Sequence, residues 1–119
     1  MTNYKRGDIV LVLFPDSNLQ TAKKRPALIV QADNLQTNLP QVIVAMITSN
    51  MTRANHKCRV AILLNSPEGK QIGLQSDSVI VTDNLATIQE RFINKILGSL
   101  SNMNLVESAL AYTFNLKLA

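Results

Sequence analysis

The sequence predicts a mainly β protein, a small and strongly curved antiparallel barrel followed by one C-terminal α-helix. Short apolar segments rich in Val and Ile alternate with polar or turn-forming segments, as they do in small barrels. Charged residues make up only 17% of the chain against 46% apolar residues, so a folded core is expected. The hydrophobic period becomes helical only near the C-terminus. With 119 residues, we expect a single domain over residues 1–119.

The first three strands are predicted from apolar runs that end in proline or in polar residues. The first is "IVLVLFP" at 9–15, the second is "RPALIVQ" at 25–31 and the third is "QVIVAMITS" at 41–49. Pro26 is compatible with the start of a strand, where no ladder donor is needed. The polar segment 16–24 between the first two strands has the length of a functional or mobile loop.

The second half of the chain continues this pattern and then changes it. "CRVAILL" at 58–64 and "DSVIVTD" at 77–83 are the fourth and fifth predicted strands, and the segment between them is rich in turn residues. The short apolar segment "INKILGSL" at 93–100 is compatible with a sixth strand without requiring one. From Ser101 onward, apolar residues recur at steps of three and four, which predicts an amphipathic helix with Ser101 as its N-cap. Its apolar face is expected to comprise Met103, Val106, Leu110 and Phe114.

The charge, the cysteine content and the lengths of the apolar runs indicate which partners and which cellular location to expect for this protein. Twelve Lys and Arg against eight Asp and Glu give a net charge of +4, which favours polyanionic partners but is also common in proteins that bind none. The single cysteine, Cys58, excludes an internal disulfide. The N-terminus lacks an apolar signal core, and no apolar run approaches the ~18 residues of a membrane span. We therefore expect a cytoplasmic protein without a membrane partner.

Most familiar catalytic constellations are missing from the sequence. A Ser-His-Asp site would depend on the one histidine, His56, which lies in a polar stretch more typical of a surface loop. No spacing of His, Cys, Asp and Glu matches a metal motif, so neither a metal nor a cofactor is expected. The four glycines do not form a phosphate-binding loop.

Polar residues remain at the ends of the predicted strands. Arg25 opens the second strand, and Thr48 and Ser49 close the third. These ends share one edge of an antiparallel meander, so the side chains can converge, although hydroxyls also serve simply to cap strand ends. A guanidinium stabilises charge on a phosphate, and RNA supplies its own nucleophile, the 2′-hydroxyl. The residues are therefore compatible with a ribonuclease that needs neither a metal nor a covalent nucleophile.

Five ordered blocks extend this interpretation over nearly the whole chain: "GDIVLVLFP", "KRPALIVQADN", "VIVAMITS", "GLQSDSVIVTDNLATI" and "ILGSLSNMNLVESAL". In order and spacing they resemble the MazF/PemK family of toxin-antitoxin endoribonucleases. The resemblance implies a PemK-like fold, which is an SH3-like barrel with a C-terminal helix, and a homodimer. It implies sequence-specific cleavage of single-stranded RNA without metal, leaving a 2′,3′-cyclic phosphate and inhibiting translation. It also implies a cognate antitoxin whose acidic tail covers the RNA-binding surface.

The resemblance also assigns the site. Arg25 matches the family's catalytic arginine, and Thr48 matches its active-site threonine. Ser49 matches a neighbouring hydroxyl, and Asp83 matches an acidic residue implicated in proton transfer. A second group of polar residues is expected to hold the RNA, namely Lys23, Lys24, Asn50, Arg53, Lys57 and Asn84.

The chain departs from the family pattern at three positions. Many relatives carry Gln where this chain has Asn84 and Arg where it has Ala86, and some carry Arg where it has Val81. Arg25 is then the main charge left for the transition state, and we expect it both to stabilise that charge and to deliver a proton to the leaving oxygen. Segment 16–24 corresponds to a loop expected to be poorly ordered and to be moved by the antitoxin.

An alternative function is a non-catalytic interaction protein on the same fold. It would be similar to the gyrase-poisoning toxins or be a degenerate relative that only binds antitoxin. The gyrase poisons resemble one another in a Trp-containing helix tip, and this chain has no Trp. The strands are apolar at nearly every position, which supplies more apolar surface than one small core obviously uses and favours a homodimer. Two internal faces would account for it equally well.

Overall fold

The computed structural model describes residues 3–117 and contains six β-strands and two α-helices. The mainly β class with a C-terminal helix is confirmed, and the ambiguous segment at 93–100 forms the sixth strand. Two short 3-10 turns complete the chain, at Met51–Arg53 and Glu90–Phe92. The elements are β1 (Asp8–Pro15), β2 (Ala22–Ile29), β3 (Gln41–Thr48), β4 (Arg59–Ile62), α1 (Pro67–Gln71), β5 (Ser78–Gln89), β6 (Ile93–Ser99) and α2 (Asn104–Phe114).

All six strands belong to one antiparallel sheet in the order β4-β5-β3-β2-β1-β6. Within residues 3–117, β4 and β6 are its two edges, so hydrogen bonds do not close the sheet into a complete barrel. The pairing of β1 with β6 is irregular at two points, and that of β3 with β5 at one. Because such irregularities bend strands, the sheet is an open and curved version of the predicted barrel.

Both faces of the sheet are buried. The face that meets α2 carries core residues from five strands and from the helix, among them Ile9, Leu28, Ala45, Val60, Ile80 and Val106. The opposite face forms a second core, which includes Val10, Val12, Phe14, Val44, Val79 and Val81. A strand buried on both sides carries apolar residues at consecutive positions. The two cores of a single chain therefore account for the consecutive apolar residues of the strands.

The predicted start of β2 was wrong. The strand begins at Ala22 instead of Arg25, because the polar residues before Arg25 pair with the end of β1, in a register that joins Pro15 to Ala22. These residues are exposed, so the apolar pattern could not reveal them. The expected loop 16–24 is consequently shorter and is a turn over residues 16–21.

The helices also differ from the predictions. The C-terminal helix begins at Asn104 with Met103 as its N-cap, not at Ser101, and Phe114 on its predicted apolar face is 54% exposed. The turn-rich segment after β4 contains the short helix α1, which Ser66 caps by accepting the backbone N–H of Gly69 at 3.0 Å. Neither helix within residues 3–117 is long and apolar enough to cross a membrane.

Candidate active site

Five of the predicted site residues line one open pocket, at the edge of the sheet where β2 begins and β3 ends. These five are Lys23, Arg25, Thr48, Arg53 and Asn84. The pocket has a volume of about 510 Å³. Three of the five carry positive charge, so the pocket is suited to an anionic ligand. The remaining lining residues are Pro15, Asp16, Ser17, Asn18, Thr21 and Met46.

Arg25 lies on a part of β2 that extends past β3. The strand pairs with β1 along most of its length, but its pairing with β3 begins only at Ala27. At Arg25 and Pro26 the sheet therefore has a local edge, where proline is tolerated. Pro26 also restricts the backbone of Arg25 to extended conformations. A fixed strand, and not a loop, thus presents the arginine to the pocket.

Arg25 is paired with a carboxylate that the sequence analysis did not single out. Its Nη2 atom lies 3.3 Å from Oδ1 of Asp16, and both side chains are partly buried, with 32% and 19% of their surfaces exposed. The other carboxylate oxygen of Asp16 accepts the Thr21 hydroxyl at 2.7 Å. That hydroxyl bond, with Arg25 and Lys23, holds the pKa of Asp16 below its ordinary value although partial desolvation opposes it. The site therefore contains an ionised carboxylate beside its arginine.

The β1–β2 turn holds this carboxylate in place. The backbone N–H of Asp16 donates to the carbonyl of Thr21 at 2.9 Å and closes the turn. Inside it, the Asn18 side-chain oxygen accepts the backbone N–H groups of Gln20 and Thr21 at 2.9 and 3.2 Å. Leu19 at the tip has a φ of 60° and is 83% exposed. Three polar side chains thus hold the turn in this conformation, and the poor order expected of the segment stays a prediction.

Thr48 closes β3 at the pocket. Its hydroxyl oxygen accepts the backbone N–H of Asn50 at 3.1 Å, which leaves its own O–H available as a donor. The Asn50 side chain caps the following 3-10 turn, where it accepts the backbone N–H of Thr52 at 3.2 Å and its hydroxyl at 2.6 Å. Asn50 and the exposed Ser49 are not among the pocket-lining residues.

Asp83 is engaged outside the pocket lining. Its two carboxylate oxygens accept Nε and Nη2 of Arg59 at 2.9 and 2.8 Å. Chiefly through these hydrogen bonds, Arg59 lowers the pKa of Asp83 to about 2. Nη1 of Arg59 donates to the carbonyl of Arg53 at 3.2 Å. Asp83 therefore supports, through Arg59, the turn that brings Arg53 to the pocket, and its position does not favour the predicted proton transfer.

An irregularity in β5 brings Asn84 to the site. The register between β3 and β5 joins Ala45 to Leu85 but Met46 to Val81, so three residues of β5 lie outside the ladder. Asn84 is one of them, and its amide nitrogen lies 3.3 Å from the sulfur of Met46. Bulges of this kind commonly redirect side chains beside functional sites. Both Asn84 and Met46 line the pocket.

Lys24 and Lys57 lie away from the pocket lining. Lys24 is exposed on β2 between the two pocket residues of that strand. Nζ of Lys57 lies 5.5 Å from the ring centre of Tyr112 on α2, a distance that allows a cation-π contact. Both lysines remain candidates for contacts with RNA beyond the scissile phosphate.

His56 and Cys58 form a local pair between the 3-10 turn and β4. Nδ1 of His56 lies 2.9 Å from the Cys58 sulfur and accepts the Cys58 backbone N–H at 3.2 Å. Burial, first, and the nearby carboxylate of Asp83 raise the pKa of the thiol, so it is an unreactive group. Within residues 3–117, no group of three or more His, Cys, Asp and Glu side chains is arranged to hold a metal ion.

Comparison with known proteins identifies the family of this chain. The family model of the PemK-like, MazF-like toxins of type II toxin-antitoxin systems matches residues 5–114. The endoribonuclease MazF of Staphylococcus epidermidis is 32% identical over 104 residues, which are 87% of this chain and 82% of that protein.

Solved structures show the same fold. The Mycobacterium tuberculosis toxin MazF-mt6 is 26% identical, with a TM-score of 0.70, covering 93% of this chain and 99% of that chain. An endoribonuclease from a mycobacterial species, solved in complex with its cognate antitoxin, is 22% identical, with a TM-score of 0.72 and coverage of 98% and 99%. The family match spans almost the whole chain and includes every residue of the pocket. This chain belongs to the PemK-like, MazF-like family of type II toxin-antitoxin toxins.

Proposed function

We propose that this protein is a metal-independent, sequence-specific endoribonuclease that cleaves single-stranded RNA in the cytoplasm and so inhibits translation. The observation that carries the proposal is the meeting of Arg25 and Thr48 in one open pocket flanked by Lys23 and Arg53. A guanidinium with a neighbouring hydroxyl donor suits a phosphodiester, and the flanking charges suit its phosphate neighbours. A relative at 32% identity that is named an endoribonuclease supports the same activity.

In this proposal, Arg25 stabilises the negative charge that develops on the phosphate in the transition state. Its backbone belongs to β2 and its side chain is partly shielded from water, so the guanidinium can bind the nonbridging oxygens as negative charge grows there. A guanidinium keeps its proton up to a pH of about 12. Charge stabilisation is therefore the main role of Arg25. The leaving 5′-oxygen can take its proton from solvent in the open pocket, and not from Arg25.

The other predicted residues take supporting roles. Thr48 donates its free O–H to the scissile phosphate, and Ser49 extends that contact on the exposed side. Asn50 shapes the turn after β3, and Asn84 faces the bound nucleotide from β5. Lys23 and Arg53, which line the pocket, bind the phosphates next to the cleaved bond, and Lys24 and Lys57, outside the lining, bind phosphates farther along the RNA.

The chemistry needs only the RNA and these side chains. The 2′-oxygen attacks the adjacent phosphorus, the bond from phosphorus to the 5′-oxygen breaks, and the products are a 2′,3′-cyclic phosphate and a free 5′-hydroxyl. Holding the backbone so that the attacking and leaving oxygens are in line supplies much of the acceleration. Stabilisation of the extra charge by Arg25 supplies another large part.

We also propose a cognate antitoxin and a homodimer as partners. The pocket is basic and open, which fits the acidic segment expected of an antitoxin, and a structural relative was solved with its antitoxin. For the dimer, the structure offers the β4 edge and the adjacent side of α2, where Leu105 and Tyr112 are 70% and 53% exposed. Light scattering at micromolar concentration should give twice the chain mass, and a monomer there would contradict the dimer.

The activity is tested by incubating the purified protein with a long single-stranded RNA in EDTA. Discrete fragments ending in cyclic phosphate are expected. The Arg25→Ala variant should cut about 10²–10³-fold more slowly, the cost of removing one preorganised transition-state donor. Lys95→Ala is the control for charge, because it removes an exposed positive charge on β6 that does not line the pocket and is assigned no contact with RNA. Intact RNA with the wild-type protein would contradict the proposal and favour the non-catalytic alternative.

A further inference from the structure

We propose that Asp16 is the general base of the reaction and accepts the proton of the attacking 2′-hydroxyl. The assignment rests on the proposed ribonuclease function and names a residue that neither the sequence pattern nor the family match singled out. It gives the β1–β2 turn a chemical role.

The position of Asp16 relative to Arg25 carries the first step of the argument. A phosphate bound to the guanidinium lies about 2.8 Å from its nitrogen atoms, and the attacking 2′-oxygen lies about 3 Å from phosphorus. The Asp16 carboxylate is already 3.3 Å from the same guanidinium. A 2′-hydroxyl on the Asp16 side of that phosphate is therefore within hydrogen-bonding reach of the carboxylate, which is the geometric requirement for a base.

The second step is that Asp16 is oriented and ionised before substrate binds. The Thr21 hydroxyl holds one oxygen at 2.7 Å, so Oδ1 is the oxygen directed at Arg25. The charged groups that face Asp16 or line its pocket are Lys23 and Arg25 from β2 and Arg53 from the 3-10 turn, and all are cations. Asp16 is consequently a carboxylate throughout the neutral range, which is the protonation state that a general base requires.

The third step is the lack of a competing carboxylate in the pocket. Among residues 3–117, Asp16 is the one acidic residue in the lining. Asp83 is the other candidate base, but both of its carboxylate oxygens accept hydrogen bonds from Arg59, at 2.8 and 2.9 Å. His56 lies outside the lining, with Nδ1 against Cys58.

The step balances without any further reagent. The 2′-hydroxyl proton passes to Asp16 as the bond from the 2′-oxygen to phosphorus forms. The bond from phosphorus to the 5′-oxygen then breaks, and the 5′-oxygen takes a proton from solvent. Asp16 returns its proton to solvent before the next turnover, so no net charge is left on the protein.

The test uses a short RNA that contains one mapped cleavage site, with the full-length wild-type, Asp16→Asn and Thr21→Val proteins. Asp16→Asn should lower kcat by about 10²–10⁴-fold, the usual contribution of a general base. It should bind the uncleavable 2′-deoxy substrate as tightly as the wild type or more tightly, because it removes a negative charge beside the phosphate. Its rate should rise about tenfold per pH unit from pH 5 to 9, since hydroxide must replace the base, while the wild-type rate stays level.

Thr21→Val keeps the carboxylate but removes the hydroxyl that orients it. A smaller fall in kcat is expected, together with a shift of the acidic limb of the pH profile to higher pH. A level pH profile with unchanged or increased kcat in Asp16→Asn would overturn the assignment and leave Asp16 only a counter-ion of Arg25. Should Asp16→Asn not fold, a Thr21→Val profile identical to the wild type would overturn it. Inactive wild-type protein would instead reject the proposed function, and this assignment with it.

Discussion

The Asp83→Asn variant separates a supporting role for Asp83 from the proton transfer implied by family resemblance. In the folded protein the pKa of Asp83 is about 2 against an ordinary value of 3.8. At full burial that difference corresponds to roughly 2.4 kcal/mol of stability. Because 39% of the side chain is exposed to screening solvent, we discount the contribution to about 1 kcal/mol.

The sign of the pH dependence follows from the lowered pKa. A carboxylate with a depressed folded-state pKa contributes its stability above the unfolded value, and the contribution fades as the pH falls from about 4 towards 2. In urea denaturation at pH 7, Asp83→Asn should therefore lose about 1 kcal/mol, by the same estimate. The difference from the wild type should be mostly lost at pH 2 and should disappear below it. Asp77→Asn is a suitable control, because an amide oxygen can still accept the backbone N–H of Leu64 that Asp77 accepts at 2.7 Å.

The kinetics decide between the two roles. If Asp83 acts by holding Arg59 against the carbonyl of Arg53, its loss loosens a phosphate contact. KM should then rise several-fold, kcat should change less than about tenfold, and the pH profile should keep its shape. A fall in kcat of about 10²–10⁴-fold with unchanged stability, and with loss of the level region of the pH profile, would refute this reasoning and restore Asp83 as the base.

Other predictions concern single side chains with clear surroundings. For single-stranded RNA, the association constant falls as salt rises. Lys23→Ala should make the slope of its logarithm against the logarithm of the salt concentration shallower by about 0.7, whereas Lys24→Ala, outside the pocket lining, should change that slope less. Thr82→Val removes a fully buried hydroxyl with two hydrogen-bonding partners, and urea denaturation should show a loss of roughly 1–3 kcal/mol. Gly73→Ala should destabilise more than that or prevent folding, because φ is +71° and the new Cβ would meet the Leu97 carbonyl oxygen at 1.9 Å.

The strands could be predicted from sequence because both sheet faces are buried and leave continuous apolar runs. The start of β2 could not be predicted in this way, because Lys23 and Lys24 are exposed and lie outside any apolar run although they pair with β1. A usable signal for α1 was present, since Ser66 followed by Pro67 and Glu68 is typical of a helix N-terminus. The turn residues around it masked that signal.

The meeting of Arg25 and Thr48 followed from the shared edge of two antiparallel strands. The partners of Asp16 and Asp83 could not be predicted from the strand order, because they depend on the register of the strands and on loop conformation. Asp83 meets Arg59 since β4 pairs with β5 in a register that joins Arg59 to Val81. The position of Asp16 could not be predicted because side-chain hydrogen bonds set the conformation of its turn, and a hydrophobic period carries no information about them.

The two Arg-Asp ion pairs differ in the number and length of their hydrogen bonds, and this difference favours different roles for them. Arg59 and Asp83 make two short hydrogen bonds, at 2.8 and 2.9 Å, in the fork geometry that satisfies both partners. Together with the bond from Nη1 to the Arg53 carbonyl, these bonds engage all three nitrogen atoms of the Arg59 guanidinium. Arg25 and Asp16 share one long contact of 3.3 Å, and most donors of the guanidinium remain uncommitted. The looser contact leaves most donors of Arg25 free to bind a phosphodiester, which supports our proposal of catalysis at Arg25 and Asp16 and of a supporting role for Arg59 and Asp83.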